Sequence, residues 1–345
     1  MERDIPHQIV EDLERSSSLP SPRPDVARHD FAQAVLAGFA RRPRSLPCRF
    51  FYDARGSALF EEITQLEEYY PTRVETTLLE AYGAEIAERL GDARVLVEFG
   101  SGSSRKTSLL LSALGRVTLY VPIDVAGESL AEAAEWLSER HDGLAIRPLI
   151  ADFTKTRTLP VAARRPRKLG FFSGSTIGNL TQADARAFLA NAARLLGRHA
   201  AFLVGVDLKK DPAILIPAYN DRRGVTAAFN LNLLERINRE LDGDIDVASF
   251  AHDAIYDETQ GRIEMHLVSL ARQTVRVMGR EFSFAKGERI HTENSHKYAI
   301  EEFQTLARSA GWTPVHAWTD PYRLFSLHLL GLAQLTRDKV PLRLA

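Results

Sequence analysis

Short apolar runs alternate with amphipathic stretches between Gly91 and Leu208, and this alternation constrains the possible folds more than any other feature of the sequence. The runs have the length and composition of buried strands, whereas the stretches between them have the apolar spacing of helices. Strands that alternate with helices pair in parallel, because each helix crosses over one face of the sheet. The sequence therefore predicts an α/β fold with a parallel sheet. Its strands are expected in the segments RVLVEF, TLYVPID, LAIRPLIADF, KLGFFSG and AAFLVGVDL.

The segments on either side of this alternation have different hydrophobic patterns. The N-terminal flank has helical spacing, with Pro71 separating two expected helices, and the segment after Lys209 has a long helix followed by antiparallel strand patterns. Two final apolar runs, PVHAWTD and RLFSLHLLGLA, are expected to complete the sheet as an antiparallel pair. We therefore expect two domains after a flexible, Ser/Pro-rich lead-in. The lead-in comprises residues 1–27, the α+β domain residues 28–68 and 209–294, and the α/β domain residues 69–208 and 295–345.

Composition excludes several classes of protein. Hydrophobic residues make up 45% of the chain and charged residues 26%, and the formal net charge is -1, which predicts a globular protein without general attraction for nucleic acid. Cys48 is the only cysteine, which excludes an internal disulfide, and the histidines lack metal-ligand spacing, so we expect no metal. No apolar run approaches the roughly 18 residues of a membrane span. We expect a monomeric, cytoplasmic protein with neither a nucleic-acid nor a membrane partner.

A glycine turn follows the first expected strand in the stretch VLVEFGSGSSRKTSLLL. Gly100 and Gly102 allow backbone N–H groups to approach a ligand closely, and the helix that follows presents its positive N-terminal end. Dinucleotides and S-adenosylmethionine both bind to turns of this kind, and the turn alone does not distinguish them. A dinucleotide site prefers a third glycine, whereas this chain has Arg105 at that position, which disfavours a dinucleotide.

Acidic residues end the next two expected strands. Asp124 closes TLYVPID, where a carboxylate can accept both hydroxyl hydrogens of a ribose. Asp152 closes LIADF, where a carboxylate can accept the exocyclic amine of adenine while Phe153 covers the ring. Rossmann-like methyltransferases typically have, on successive strands, a glycine turn, an acidic residue that binds the ribose and an acidic residue that binds the adenine. Each aspartate taken alone could also be an ordinary helix cap.

The stretch FFSGSTIGNL, which begins in the fourth expected strand, adds a longer and more specific pattern. Together with other blocks, it resembles the histidine-specific N-alpha-methyltransferase family from about Ser45 to Leu330. The resemblance implies a Rossmann-like class I methyltransferase domain with a second, α+β substrate-binding domain. It also implies that S-adenosyl-L-methionine donates methyl groups to the α-amino group of L-histidine, giving hercynine for ergothioneine biosynthesis. The other blocks are RFFYDARGSALFEEIT, EEYYPTR, FGSGSSRKT, PIDVAGESL and AYNDRRGVTAAFN.

The same resemblance implies a set of cofactor contacts. The tyrosines of EEYYPTR are implied to close the site between cofactor and substrate, with Tyr69 the favoured contact and Tyr70 the alternative. Either tyrosine could instead pack in the core at the end of a helix, and Lys106 could be an ordinary solvated residue of a first helical turn. The remaining cofactor contacts implied are Gly100, Lys106, Asp124, Asp152 and Phe153.

Contacts to the amino-acid end of the substrate are implied in the same way. Asn179 and the backbone near Gly174 resemble the elements that orient the substrate's amino group. Tyr52 and Tyr219 resemble the family's two carboxylate-binding hydroxyls, although each could be a half-buried structural tyrosine. We expect Asn179, Tyr52 and Tyr219 to be the catalytic residues, which act by holding the substrate in position, and we assign no general base.

The imidazole end of the substrate is implied to lie against HTENSHKY and RIEMHL. Glu293 and Ser295 are two residues apart on an extended segment, so their side chains point the same way and can hold one ring by its nitrogens. Met265 resembles the residue whose thioether packs on that ring. A carboxylate favours histidine, because apolar side chains would leave it unpaired. Glu293 could alternatively be a capping acid before the next helix.

Three other functions stay open. The chain could be a methyltransferase of the same fold for another amino acid or small amine, an NAD-linked oxidoreductase, which Arg105 disfavours, or a non-catalytic scaffold with a vestigial pocket. Against a scaffold, every polar residue expected in the two sites is present. The sequence departs from the family pattern at Ser173 and Glu67, where the family usually has proline. His291 and His296 are expected to be surface residues.

Overall fold

The computed structural model describes residues 24–102 and 104–332, and most of its strands belong to one mixed sheet. The strands of this sheet are β2 (Val95–Phe99), β3 (Leu119–Asp124), β4 (Ala145–Ile146), β5 (Leu149–Ile150), β6 (Lys168–Phe172), β7 (Ala201–Asp207), β13 (Thr313–Thr319) and β14 (Phe325–Gly331). Their order is β13-β14-β7-β6-β2-β3-β4, and β5 also pairs with β3. Strands β2 to β7 pair in parallel, whereas β14 and β13 add an antiparallel pair at one edge, as the sequence predicted.

Helices pack on both faces of this sheet. They are α3 (Tyr70–Leu90), α4 (Arg105–Leu114), α5 (Gly127–Ser138), α6 (Gln182–Leu196) and α9 (Ile300–Ser309). Alternate side chains of β2 enter two different cores, because successive residues of a strand point to opposite faces. Val97 and Phe99 pack with residues of α6 and α9, and Leu96 packs with residues of α3 and α4.

A second unit has its own sheet and hydrophobic core. Its sheet has the order β1-β12-β9-β8, and β10 and β11 form a separate two-stranded ribbon. Phe39, Phe51, Leu233 and Leu267, which come from distant parts of the chain, are buried together in its core. The strands are β1 (Arg44–Ser45), β8 (Phe250–Asp257), β9 (Arg262–Ser269), β10 (Gln273–Val277), β11 (Arg280–Phe284) and β12 (Arg289–His296), and the helices are α1 (Pro24–Ala40), α2 (Ala54–Thr64), α7 (Pro212–Leu215) and α8 (Val225–Leu241).

Some boundaries differ from those expected from the sequence. Helix α1 begins at Pro24, inside the expected lead-in, because the fixed φ of proline suits a first helical turn. Residues 1–23 of that lead-in lie outside the described residues. Strand β12 crosses the expected domain boundary between residues 294 and 295. The single strand expected in LAIRPLIADF is two short strands, β4 and β5, because Pro148 between them cannot donate to a sheet ladder.

The strand order places the expected functional residues at one edge of the larger sheet. The chain moves outward from β2 in one direction through β3 and in the other through β6. In open α/β sheets, ligands bind at the carboxyl ends of the strands where the order reverses in this way. In the described part of the chain, every helix is too short or too polar to span a lipid bilayer.

Candidate active site

Strand β2 ends in a turn whose backbone favours glycine. Gly100 and Gly102 have φ angles of 75° and 48°, in the left-handed region that residues with a Cβ rarely adopt. Helix α4 begins soon afterwards at Arg105, so its first N–H groups lie close to the turn. A Cβ on Gly100 would lie 3.7 Å from Cε1 of Phe153, and a Cβ on Gly102 would meet no described atom within 4 Å. The turn therefore borders open space and the ring predicted to cover adenine.

The two aspartates predicted to bind the nucleoside, Asp124 and Asp152, lie beside this turn but differ in their contacts. Asp124, the last residue of β3, accepts the N–H of Ser101 at 3.0 Å through Oδ2 and the N–H of Ala126 at 3.0 Å through Oδ1. Each oxygen keeps a second lone pair, so both can still accept a ribose hydroxyl. Asp152 lies two residues beyond β5 and accepts the N–H of Thr154 at 2.9 Å. It therefore also stabilises its own turn, whereas residues 153–155 form a turn and not the helix that a capping role would require.

A buried ion pair connects the predicted cofactor and substrate contacts. Lys106 donates to Oε2 of Glu75 at 2.6 Å, and the same oxygen accepts the N–H of Gly174 at 2.8 Å. Glu75 is 0% exposed, and a Cβ on Gly205 would lie 2.0 Å from its Oε1, so a larger residue at this position of β7 would displace the carboxylate. Glu75 is not among the residues predicted from the sequence. Its carboxylate links the position of Lys106 to that of the loop at Gly174.

The adjacent tyrosines at the start of α3 have different surroundings. The hydroxyl of Tyr70 donates to the carboxylate of Asp207, with oxygen distances of 2.8 and 2.9 Å, and accepts from Lys210 at 2.7 Å. The hydroxyl of Tyr69 has no hydrogen-bond partner among the described residues, and its ring centroid lies 6.1 Å from that of Tyr219. Tyr69 therefore keeps its hydroxyl available for a ligand, whereas that of Tyr70 is engaged within the protein.

Glu293 and Met265 face each other across β12 and β9. They are directly paired in the antiparallel register, which brings their side chains to the same face of the sheet. Glu293 is 9% exposed, and its carboxylate makes no hydrogen bond or ion pair with the described residues. Burial raises the pKa of Glu293 to about 7, and the charge of Lys297 offsets only part of this effect. Because a buried carboxylate without a donor is unfavourable, this position suits the N–H of a ligand.

Three tyrosines lie near enough to this carboxylate for its charge to affect their pKa. Burial, followed by nearby acidic groups that include Glu293, raises the pKa of Tyr52, Tyr69 and Tyr219 well above that of free tyrosine. All three therefore remain protonated near neutral pH and can donate a hydrogen bond. Ser295 lies 2.8 Å from the hydroxyl of Tyr219, measured between the two oxygens. The structure thus places these predicted substrate contacts within electrostatic range of Glu293.

Asn179 ends a 3₁₀ turn (Thr176–Asn179) that packs against β12. The close packing depends on Gly178, because a Cβ there would lie 2.7 Å from the carbonyl oxygen of His296. Nδ1 of His296 is 2.9 Å from the carbonyl oxygen of Gly178. The expectation that His296 is a surface residue is wrong, since its ring is buried between the turn and β12. Asn179 is half-buried, and its side chain has no hydrogen-bond partner among the described residues.

Two charged residues that were not predicted from the sequence lie beside the predicted substrate contacts. Asp207 ends β7 and Lys297 follows β12, and their side chains form an ion pair of 2.6 Å in which both are fully buried. Lys297 could have been found from its spacing, because Glu293, Ser295 and Lys297 alternate along an extended segment. Among the described residues, no group of three or more histidine, cysteine or acidic side chains is arranged to hold a metal.

Glu293→Gln should stabilise the ligand-free protein more at pH 8 than at pH 5, when the variant is compared with wild type at the same pH. The folded-state pKa of about 7 lies above the usual 4.5, so folded protein binds more protons than unfolded protein between these values, and rising pH destabilises the wild type. The stability difference between variant and wild type should grow by about 2–3 kcal/mol between pH 5 and pH 8. Urea unfolding at both pH values measures this difference. A difference that does not change with pH would mean that Glu293 ionises normally.

Four features define a class I methyltransferase, the type that binds S-adenosylmethionine. They are the sheet order, the antiparallel edge, the glycine turn after β2 and the acid that ends β3. A model of the family described as histidine-specific, SAM-dependent methyltransferase matches residues 31–332. The chain belongs to this family and is an S-adenosylmethionine-dependent methyltransferase.

Similar proteins carry names that agree with this family. The chain is 42% identical to the histidine N-alpha-methyltransferase of Mycolicibacterium smegmatis, over 88% of this chain and 96% of that protein. It is also 42% identical to the histidine N-alpha-methyltransferase of Mycobacterium tuberculosis, over 86% of this chain and 92% of that protein. Ergothioneine biosynthesis protein 1 of Neurospora crassa is 34% identical over 87% of this chain, which corresponds to 34% of that protein.

Proposed function

We propose that this enzyme transfers three methyl groups from S-adenosyl-L-methionine to the α-amino group of L-histidine, giving hercynine for ergothioneine biosynthesis. The observation that carries the proposal is the carboxylate of Glu293, which is buried opposite Met265 and has no donor among the residues that the structure describes. An imidazole N–H would satisfy it, whereas the side chains of phenylalanine or leucine would leave it unpaired. The names of the relatives described above support the same substrate.

We propose that the donor lies along the carboxyl ends of β2 and β3. The open turn at Gly100 fits its methionine portion, Asp124 keeps free lone pairs for the ribose, and Phe153 lies beside the turn to cover adenine. Asp152 and Lys106 are the charged groups assigned to the same site, and the unpartnered hydroxyl of Tyr69 is preferred over that of Tyr70. When bound, S-adenosylmethionine supplies a sulfonium-linked methyl group that is transferred by in-line displacement.

The substrate would lie between the two units of the fold. The protonated hydroxyls of Tyr52 and Tyr219 would donate to its carboxylate, and Asn179 with the backbone near Gly174 would orient its amino group. Glu293 and Ser295 would each accept one N–H of the ring in its imidazolium form, while Met265 packs on the ring. This arrangement assigns the part of the chain before α3 and the part between β7 and α9 to a substrate-binding domain, consistent with their separate core.

The contribution of these residues to the rate would be orientation. The α-amino group of an amino acid needs only modest help to lose its proton, since chain-terminal amines have pKa values of about 7.7–8.0. Alignment of nitrogen, methyl carbon and sulfur can contribute up to about 7–11 kcal/mol in well-ordered systems. Because the carboxylate and imidazole contacts do not involve the nitrogen, the same contacts can hold the mono- and dimethylated forms.

Incubation with S-adenosylmethionine and L-histidine, followed by mass spectrometry, tests the proposal. Histidine should gain one, two and finally three methyl groups, and phenylalanine, leucine and tryptophan should gain none under the same conditions. Methylation of another amino acid in preference to histidine would overturn the substrate assignment. We also propose that the enzyme acts as a monomer in the cytoplasm, which gel filtration and cell fractionation would examine.

A further inference from the structure

A cluster of polar side chains lies behind the predicted substrate site, where β7 and β12 end side by side. Lys297 is 0% exposed, and its Nζ lies 2.6 Å from Oδ2 of Asp207, 2.8 Å from Oη of Tyr219 and 2.7 Å from Oγ of Ser295. An ammonium group has three hydrogens, so these three acceptors use all of them. Lys297 therefore reaches a substrate only through Tyr219 and Ser295.

The hydrogens of this cluster can be counted. Both hydroxyl oxygens accept from Lys297, and the Tyr219 and Ser295 oxygens are also 2.8 Å from each other, so one of the two donates to the other. One of the two O–H hydrogens is used in that bond, and the other is left to point away from Lys297. If Ser295 donates to Tyr219, the phenolic hydrogen is free for a substrate carboxylate, and Ser295 keeps a lone pair for an imidazole N–H.

The charge balance of the cluster favours an anionic group at that position. The carboxylate of Asp207 is in contact with two ammonium groups, Lys297 at 2.6 Å and Lys210 at 2.6 Å. Asp207 alone cannot balance both charges. Asp320 offsets part of the charge on Lys210, whose pKa burial lowers to about 8, so positive charge remains beside this buried site. Glu293 feels the charge of Lys297 but has a pKa of about 7, so it is only partly ionised near neutral pH. A bound carboxylate would balance the remaining charge.

We propose that Lys297 is a positioning residue that, held by Asp207, directs the hydroxyl hydrogen of Tyr219 toward the carboxylate of the amino-acid substrate. This inference rests on the proposed function, because it takes the substrate to be an amino acid whose carboxylate meets Tyr219. Lys297 thereby selects substrates with a carboxylate over amines that lack one, without touching the substrate itself.

Lys297→Met tests this role, because methionine has a similar length but cannot donate a hydrogen bond. The ligands are L-histidine and histamine, which has the same imidazole and amine but no carboxylate, each titrated by calorimetry in the presence of S-adenosylhomocysteine. The variant should bind histidine about 10- to 100-fold more weakly, as expected for a hydrogen bond to a charged group. The loss for histamine should be clearly smaller, because histamine has only the ring contact of Ser295 in common with histidine. In a Tyr219→Phe background, Lys297→Met should add little further loss, because the hydroxyl that it directs is already absent.

Two further variants separate positioning from a purely structural role. Lys168→Met is the matched control, because Lys168 is also buried but donates to the carbonyls of Arg164 and Pro166, outside the cluster. Its loss should leave the ratio of histidine to histamine affinity unchanged. If Lys297→Met does not fold, the double variant Lys297→Met/Asp207→Asn removes both opposite charges together and takes its place.

Three results would each overturn the inference. They are an equal loss of affinity for histidine and histamine, unchanged histidine affinity in folded Lys297→Met, and an effect of Lys297→Met on histidine affinity that is as large in the Tyr219→Phe background as in wild type. Failure of the wild-type enzyme to bind histidine would instead overturn the proposed function.

Discussion

Asp124→Ala should weaken the binding of S-adenosylhomocysteine by at least about 100-fold, because two hydrogen bonds from ribose hydroxyls to a charged acceptor contribute about 3 kcal/mol or more. The carboxylate of Asp124 also accepts the N–H groups of Ser101 and Ala126, so the alanine variant loses part of the support of the glycine turn. Isothermal titration calorimetry measures the affinity, and thermal unfolding shows whether the variant remains folded.

Two variants provide the comparison for this prediction. Asp124→Asn keeps one acceptor oxygen and should give an intermediate loss of affinity. Asp92→Ala removes an acid that lies before β2 and pairs with Arg167 at the surface, so it should bind like wild type. Wild-type affinity in folded Asp124→Ala would show that the ribose does not lie at the end of β3.

Glu293→Ala should lower kcat/KM for histidine by about 10- to 1,000-fold, because it removes a charge-assisted hydrogen bond and leaves the imidazole N–H without its acceptor. Discrimination against phenylalanine should fall as well, since the alanine variant no longer has a carboxylate that an apolar ring leaves unpaired. Steady-state kinetics with both amino acids measures the two effects. Glu293→Gln keeps an uncharged acceptor and should lie between alanine and wild type.

Glu264→Ala is the matched control for this substitution. Glu264 precedes Met265 on β9, so its side chain points to the opposite face of the sheet, where it contacts Arg262 and His266. Its loss should leave the discrimination between histidine and phenylalanine unchanged. If Glu264→Ala and Glu293→Ala had the same effect, the effect would come from the stability of the sheet rather than from recognition.

The larger sheet could be predicted from the sequence because its strands are local apolar runs separated by helices, and RVLVEF, TLYVPID and KLGFFSG became β2, β3 and β6. The sheet of the second unit could not be assembled in the same way. Its β1 contributes only Arg44 and Ser45, which pair with residues far along the chain in β12. A two-residue strand has no periodicity, and its partner is defined only by the packing of the whole unit.

The candidate site shows a similar division. Residues at strand ends, such as Asp124, could be predicted because their place in the fold followed from the strands. Glu75 and Lys297 were missed because charged residues are usually exposed, and nothing in their side chains signals burial. Spacing could have revealed both. Glu75 precedes Leu78 and Leu79 on the buried face of α3, and Lys297 continues the alternation of Glu293.

A crystal structure of the enzyme with S-adenosylhomocysteine and L-histidine would test the central claim most directly. We expect the donor product along Gly100 and Asp124, the amino nitrogen directed at its sulfur, and a carboxylate oxygen of Glu293 within hydrogen-bonding distance of an imidazole nitrogen. A histidine bound elsewhere, or a Glu293 side chain directed to bulk solvent while the ligand is bound, would contradict the account.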